Sequence, residues 1–509
     1  MAHHETMAHH ETATPSPAQF RHMGDLLVEM IAAALHGDQV GGSDTEPNTD
    51  FDDWAHLYSL AVFHSVEPLT WAGMSESTRS HLPEEIAAKW QNAADLALFR
   101  QFTYDAERSS ILSDFRRAGL SWLPLKGIVT ATYYPQPGLR SMGDQDLVFG
   151  FVEYDPSSET SEDSETSGNP GEWRFRGSTE VERAAMEAKA AETATAIMTA
   201  HGYTATNVWE RELAFAKGGI SFELHRCIVV DSEKTEGYYD DSMIRYYRNP
   251  WRLAVPDGDP HGDPHGNPDG DDHNIDGDPH APHAPHAGGF HWRPEDEYVF
   301  HVAHMMKHYR SSGFGLRFLA DEAVFCRRFG EHTSQPFDWD YIHAQLDELE
   351  LARFERTVRR LSLALFDHPR DWRRHVDESE RRLFEEIVTS GVYGTRRNGL
   401  TKRFRRQQEA LESTRENQPQ SAHERSTTGA ESPRLRHMRT GFARTGFMRT
   451  GVLYGLRRIY PPRSWVEQPF PRWADARWKR ALLPLYRLSR GLRQHPKDLL
   501  FELKLMLRK

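Results

Sequence analysis

Two cysteines in 509 residues, Cys227 and Cys326, are too few for a disulfide framework and fit a reducing, cytoplasmic setting. No apolar run approaches the roughly 18–20 residues that a membrane span needs, so no transmembrane segment is expected. The opening residues, MAHHETMAHHETATPSPAQF, repeat MAHHET and lack the apolar stretch of a secretory leader. Residues 256–289, PDGDPHGDPHGNPDGDDHNIDGDPHAPHAPHAGG, carry proline too often for a helix or a central strand. Their His and Asp lack the spacing of a calcium loop or a zinc finger, and a solvated linker is the simpler reading. What is left is a soluble, globular composition, 38% hydrophobic and 27% charged, long enough for two or three domains.

Charge is unevenly spread. Residues 401–509 hold 25 Lys and Arg against 9 Asp and Glu, a net +16, which leaves −29 of the overall −13 on the first 400. A basic end on an acidic body fits an anionic partner, and equally fits arginine-rich helices packed on that body. Trp473, Trp478, Tyr460 and Tyr486 sit among those arginines, where aromatics either stack on nucleic-acid bases or fill a core.

Helical spacing of apolar residues runs over 17–36 and again over much of 51–120. Ser121 to Lys126 is the first clear strand. A short helix from Gly127 to Tyr134, a PQPG turn and a strand from Asp144 to Val152 follow. The acidic, Ser/Thr-rich stretch 155–172 reads as a disordered insertion, and 179–201 as an Ala/Glu-rich helix. Two strand-like runs, NVWERELAFA and ISFELHRCIVV, are joined by KGG, the signal of a hairpin. Beyond 290 the pattern is again amphipathic and helical.

The chemistry is concentrated in LPLKGIVTATYYPQPGLRSMGDQDLVFG, residues 123–150. Strand alternation turns Asp144 and Asp146 one way, and Gln145 and Leu147 the other. Two carboxylates that close raise each other's pKa unless a cation neutralises them. Mg²⁺ or Mn²⁺ fits, because such ions take oxygen ligands from one or two carboxylates and leave other positions to water and phosphate. Lys126 and Gly127 close a strand and open a helix, offering a charge and exposed N–H groups to a phosphate. Arg140 is placed either to hold phosphate or to brace the loop. In SFELHRC, residues Ser221, Glu223 and His225 share one face, while Phe222 and Leu224 take the core face. Glu223 is then the third carboxylate, a metal ligand or a proton acceptor, with His225 to orient it.

This order of residues resembles the uncharacterised bacterial nucleotidyltransferases of the DNA polymerase β-like superfamily. Their pattern runs LKG, a small helix, Y-P-x-P-G-x-R and a D-x-D strand, onto which Lys126, Gly127, Tyr134, Pro135, Gly138, Arg140, Asp144 and Asp146 fall. FELHRCI resembles the downstream carboxylate segment. HVAHMMKHYRSSGFGLRFLADEAVF resembles the helical segment that follows, with His304, His308 and Asp321 at recurring polar positions. Gln145 stands where the pattern has an apolar residue, which weakens that strand's buried face.

The resemblance implies an α+β fold, a small mixed β-sheet nucleotidyltransferase core flanked by helical N-terminal and C-terminal regions. The expected division is a disordered tail at 1–16, a helical N-terminal region at 17–120 and the core at 121–231, interrupted by 155–172. The low-complexity insertion at 256–289, a helical domain at 290–400, a mobile linker at 401–433 and a basic C-terminal region at 434–509 follow. It further implies a nucleoside triphosphate as substrate and an acceptor that no motif names. Two other readings are a degenerate nucleotide- or nucleic-acid-binding module and a DxD glycosyltransferase. The latter fold places strand–helix units ahead of its DxD, where this chain reads as helix. His304 and His308, four apart on a helix, are expected to serve packing rather than a metal.

Overall fold

The computed structural model describes residues 17–37, 53–155, 172–208, 211–230, 239–258, 288–395 and 398–402. Described residues within 17–307 and 314–392 form one compact unit, and those of 308–313 and 393–402 belong to a second. The readings made for residues 1–16, 156–171, 259–287 and 403–509, the basic C-terminal region included, lie outside the described residues.

The first unit opens with helices: α1 (Pro17–His36), α2 (Trp54–His64), α3 (Glu67–Gly73), α4 (Glu76–His81) and α5 (Glu84–Arg117). The helical spacing read over 17–36 corresponds to α1, which buries Met23, Leu27, Met30 and Ile31 as one stripe. Periodicity then switches from helical to alternating. β1 (Ser121–Pro124), the four-residue α6 (Gly127–Thr130), β2 (Gln145–Gly150), β3 (Val152–Asp155), β4 (Glu172–Phe175) and α7 (Glu180–Ala200) follow in order. Thr179 and Glu182 start α7 with a reciprocal capping box, which satisfies two N–H groups that the helix itself cannot.

β5 (Thr204–Val208), β6 (Glu212–Lys217) and β7 (Ile220–His225) complete a five-stranded sheet of order β1-β2-β7-β6-β5. β2 and β7 run parallel, and every other neighbouring pair is antiparallel. The β6–β7 hairpin turns at Gly218 and Gly219, both at positive φ (56° and 85°), the conformation a two-residue hairpin turn demands. The sequence run NVWERELAFA thus holds the end of one strand and most of the next, with a reversal between them. The strand expected over 144–152 also divides, because β3 leaves the five-stranded sheet to pair with β4. Gly150 allows this: a Cβ there would lie 2.6 Å from the Phe175 ring.

Each face of the sheet has its own core. On one, Leu147, Phe149, Leu213, Phe215, Phe222 and Leu224 pack with Ile111 and Phe115 of α5 and Ala190, Ala194 and Met198 of α7. Burial of each large side chain contributes about 1.5–3 kcal/mol, so this face fixes the register of β2 and β7. On the other, Leu123, Leu125 and Val148 meet the later helices. Those are α8 (Asp241–Tyr246), then, after the small β8 (Ala254–Pro256) and β9 (Phe290–Trp292) hairpin, α9 (Pro294–Ser311), α10 (Leu316–Arg328), α11 (Trp339–Glu348), α12 (Ala352–Asp367) and α13 (Glu378–Val388). Both low-complexity stretches connect strands that pair with each other, Asp155 with Glu172 and Pro256 with Phe290. Long inserts are tolerated there because closing a longer loop adds little entropy cost. Among the described residues no helix is long and apolar enough to cross a membrane.

Candidate active site

Register brings the predicted carboxylates together. Asp146 on β2 lies directly beside Glu223 on the parallel β7, and Val148 beside His225. Because Leu147, Phe222 and Leu224 are claimed by the α5–α7 face, Asp146, Glu223 and His225 project from the opposite face. Ligand atoms of these three side chains all lie within 4.8 Å of one another. Asp144 sits one residue ahead of β2, half-buried at the same end of the sheet.

The cation between the carboxylates is Lys126. Its Nζ donates to Asp146 Oδ1 at 2.6 Å, and His225 Nε2 donates to the same oxygen at 2.7 Å. His225 therefore orients Asp146; it stands 3.8 Å from Glu223 Oε2. Its other ring nitrogen is 3.5 Å from Glu212 Oε2, and Glu212 is in turn paired with Arg211 at 2.7 Å. Lys126 itself is held at φ 54° and ψ −121°, a backbone conformation that costs about 1–3 kcal/mol in a residue with a side chain. The strained turn is fixed from both sides: Leu125 N–H donates to Asp146 O, and Lys126 O accepts from Thr130 N–H.

Counting charges separates balanced groups from unbalanced ones. Asp146 has Lys126, and Glu212 has Arg211. Asp144 and Glu223 make no hydrogen bond among the described residues, and no cation is paired with either. Their carboxyls respond accordingly. Burial, then the charges of Asp146, Asp144 and Glu212, push Glu223 up to about 8. Burial and the Asp146 charge push Asp144 up to about 6. Burial would raise Asp146 too, but Lys126 and His225 more than offset it and hold that carboxyl well below the usual range. Burial likewise lowers Lys126, and the two aspartates reverse this. Burial keeps the His225 ring neutral against the pull of Asp146.

Two surplus carboxylates beside a third that is already ionised match the charge and donor type of a divalent cation such as Mg²⁺ or Mn²⁺. Asp146 and Glu223 offer oxygen atoms within one donor cluster that could hold such an ion, and Asp144 lies beside them.

Arg140 is committed elsewhere. Its Nε and Nη2 donate to Asp321 Oδ1 and Oδ2 at 2.8 and 2.9 Å, and Tyr134 Oη donates to Oδ1 at 2.8 Å. Asp321 lies on α10 and is 1% exposed; Arg140 is 9% exposed. Of the two roles open to Arg140 from sequence, these hydrogen bonds are those of a loop brace. Gly127 belongs to the same brace. A Cβ there would lie 2.5 Å from Arg140 Nη1, so the missing side chain makes room for the guanidinium. Gly138, at φ 82°, brings the Pro135–Gly138 turn against α5, where a Cβ would stand 2.8 Å from Leu98 Cα.

Two segments of the chain match the family of uncharacterised nucleotidyltransferases. They are residues 50–151 and 283–367. The first matched segment holds Lys126, Gly127, Arg140, Asp144 and Asp146; the second holds Asp321. The Arg140–Asp321 pair therefore ties one matched segment to the other. Glu223 and His225 lie between them and rest on the sheet register. No curated protein and no solved structure matches the chain.

Gln145, the polar residue on the buried face, is fully buried and accepts from Arg108 of α5, which also pairs with Asp105 at 2.7 Å. The expected weakening of that face is thus met by a partner on the covering helix. His304 packs its ring against Phe300 and Phe318, and neither it nor His308 joins a donor cluster among the described residues. Sequence reasoning passed over Glu212, although counting back from the Gly218–Gly219 turn places it opposite His225. It also passed over Tyr104, whose hydroxyl donates to Gly143 O at 3.0 Å and steadies the approach to Asp144.

Proposed function

We propose that this chain transfers a nucleoside monophosphate from a nucleoside triphosphate to a hydroxyl or phosphate acceptor, with Mg²⁺ or Mn²⁺. The acceptor oxygen bonds to the α-phosphorus as the bond from that phosphorus to the β-phosphate oxygen breaks, pyrophosphate leaves, and a hydroxyl acceptor gives up its proton to solvent. The observation that carries the reading is the pair of uncompensated carboxylates, Asp144 and Glu223, flanking an Asp146 already ionised by Lys126. The match to the nucleotidyltransferase family supports it. So does the order of elements, since among the described residues five helices and no strand–helix unit precede β1, unlike the arrangement expected of a DxD glycosyltransferase.

Each residue has a distinct task. Asp144, Asp146 and Glu223 would hold the cation, which would supply positive charge to the reacting phosphate. His225 fixes the Asp146 carboxylate in one orientation, and Glu212 with Arg211 backs His225. Lys126, hydrogen-bonded to Asp146, is the positive group that would meet a phosphate at this site. Arg140 and Asp321 hold the loop before β2 so that Asp144 stays at the strand end.

The test is binding of each labelled nucleoside triphosphate, with and without Mg²⁺, to wild type and to Asp144→Asn/Glu223→Gln. Neither side chain makes a hydrogen bond among the described residues, so the variant is expected to keep its fold. Metal-dependent binding present in wild type and absent in the variant is expected. Equal metal-dependent binding in both would reject the assignment.

A further inference from the structure

A second donor cluster lies on the connection between α12 and α13, on residues that the nucleotidyltransferase reading does not use. His368 ends α12, Asp371 precedes the single 3-10 turn Trp372–Arg374, and His375 closes it. All three side chains are exposed, and their ligand atoms lie within 4.8 Å of one another. The two imidazoles are stacked, with ring centres 3.9 Å apart and planes 9° from parallel. His375 Nε2 stands 3.5 Å from Asp371 Oδ1.

The loop that presents them is anchored beneath. Trp372, 1% exposed, packs on Phe384 with ring centres 4.6 Å apart and donates to Asp25 Oδ1 at 3.1 Å. Arg373 reaches the same carboxylate at 3.0 Å. Backbone bonds from Asp371 N–H to His368 O and from His375 N–H to Trp372 O set the spacing of the three donors. The buried tryptophan fixes the loop from inside, and the three polar residues around it turn outward together. Asp371 makes no capping hydrogen bond in this turn, so the helical geometry does not account for it.

From this arrangement we infer that His368, Asp371 and His375 form a binding site for a borderline divalent transition cation of the Zn²⁺ class. Two imidazoles and one carboxylate are a nitrogen-rich set that such ions prefer, whereas Mg²⁺ prefers all-oxygen surroundings. Three protein ligands leave a further position to water or another group. The chemistry therefore differs from that of the carboxylate site, and the two sites sort cations by donor type. Bound metal would cross-link the end of α12 to the entry of α13.

The experiment uses the full-length protein and reads each histidine separately. Diethylpyrocarbonate labels exposed imidazoles, and peptide mass spectrometry follows His368 and His375 with increasing Zn²⁺. Labelling of both is expected to slow in parallel, by about tenfold once Zn²⁺ reaches ten times its dissociation constant. Mg²⁺ at millimolar level leaves both rates unchanged. Asp371→Asn, which keeps the size of the side chain, shifts the protection of both histidines to higher Zn²⁺ by about tenfold or more. Unchanged labelling in Zn²⁺, protection of one histidine without the other, or full protection retained in Asp371→Asn would each overturn the site. Because none of these readouts involves a nucleotide, failure here leaves the carboxylate site untouched, and the reverse also holds.

Discussion

Two buried ionic clusters flank the loop before β2, and they are built to opposite rules. The Arg140–Asp321–Tyr134 cluster is closed: one carboxylate, one guanidinium and one hydroxyl satisfy each other, and both charges are almost wholly buried. Burial opposes ionisation of Asp321, yet Arg140 holds its carboxyl below the usual range. The Asp144–Asp146–Glu223 cluster is open. Its one lysine is hydrogen-bonded to Asp146 alone, and the other two carboxyls are driven up toward neutrality. A closed cluster needs nothing from outside. An open one is a standing electrostatic cost, kept where a cation is expected to arrive.

The comparison is broken most directly at Asp321. Asp321→Ala leaves the Arg140 guanidinium buried without its partner, and a loss of about 3–5 kcal/mol is expected from urea unfolding. Mg²⁺ should recover none of it. A variant as stable as wild type, or one rescued by Mg²⁺, would mean that this cluster is not a brace.

Lys126 sharpens the contrast. Lys126→Met removes the single cation hydrogen-bonded to Asp146. It should cost about 1.5–3 kcal/mol in the absence of divalent ions, the usual range for a hydrogen bond to a charged group. Here saturating Mg²⁺ should restore most of the loss, because it supplies the charge that the lysine carried. Thermal melts with and without Mg²⁺ measure both effects. A deficit that Mg²⁺ leaves unchanged would place the cation elsewhere.

How these clusters could be read from sequence follows the range of their contacts. The open cluster depends on strand alternation and one hairpin, so Asp144, Asp146, Glu223 and His225 were visible as candidates from period-two spacing alone. Even Glu212 was within reach of register counting. The closed cluster joins residues 181 apart in sequence, across a loop and a helix. No local pattern states which acid Arg140 will meet; only the placement of α10 shows that it is Asp321. Helix α1 followed from periodicity, and the α+β class from the family resemblance. The end of β2 did not, because the run continues apolar through Phe151, and only the closeness of Phe175 to Gly150 shows why the chain turns away. The strain at Lys126 has no signal in sequence at all, since lysine does not favour positive φ.

The smallest expected effect tests the open cluster through pH. Folded Glu223 keeps its proton up to about 8, whereas an unconstrained carboxyl releases it near 4.5. Between those values the folded state binds more protons than the unfolded one, so this group's contribution to stability falls as pH rises through the interval and levels off above it. Glu223→Gln removes that descending limb. The melting curves of wild type and variant should therefore meet near pH 4 and separate upward, with the variant ahead at pH 8 by on the order of 1 kcal/mol, given that Glu223 is part-exposed and coupled to its neighbours. Mg²⁺ should then close the gap from the wild-type side, because the cation takes the place of the proton on Glu223 and has no carboxylate to take in the glutamine variant. If the two proteins instead titrate in parallel, or if Mg²⁺ raises both melting temperatures equally at pH 8, Glu223 does not share the electrostatic burden of Asp144 and Asp146, and the donor set for the cation has to be redrawn without it.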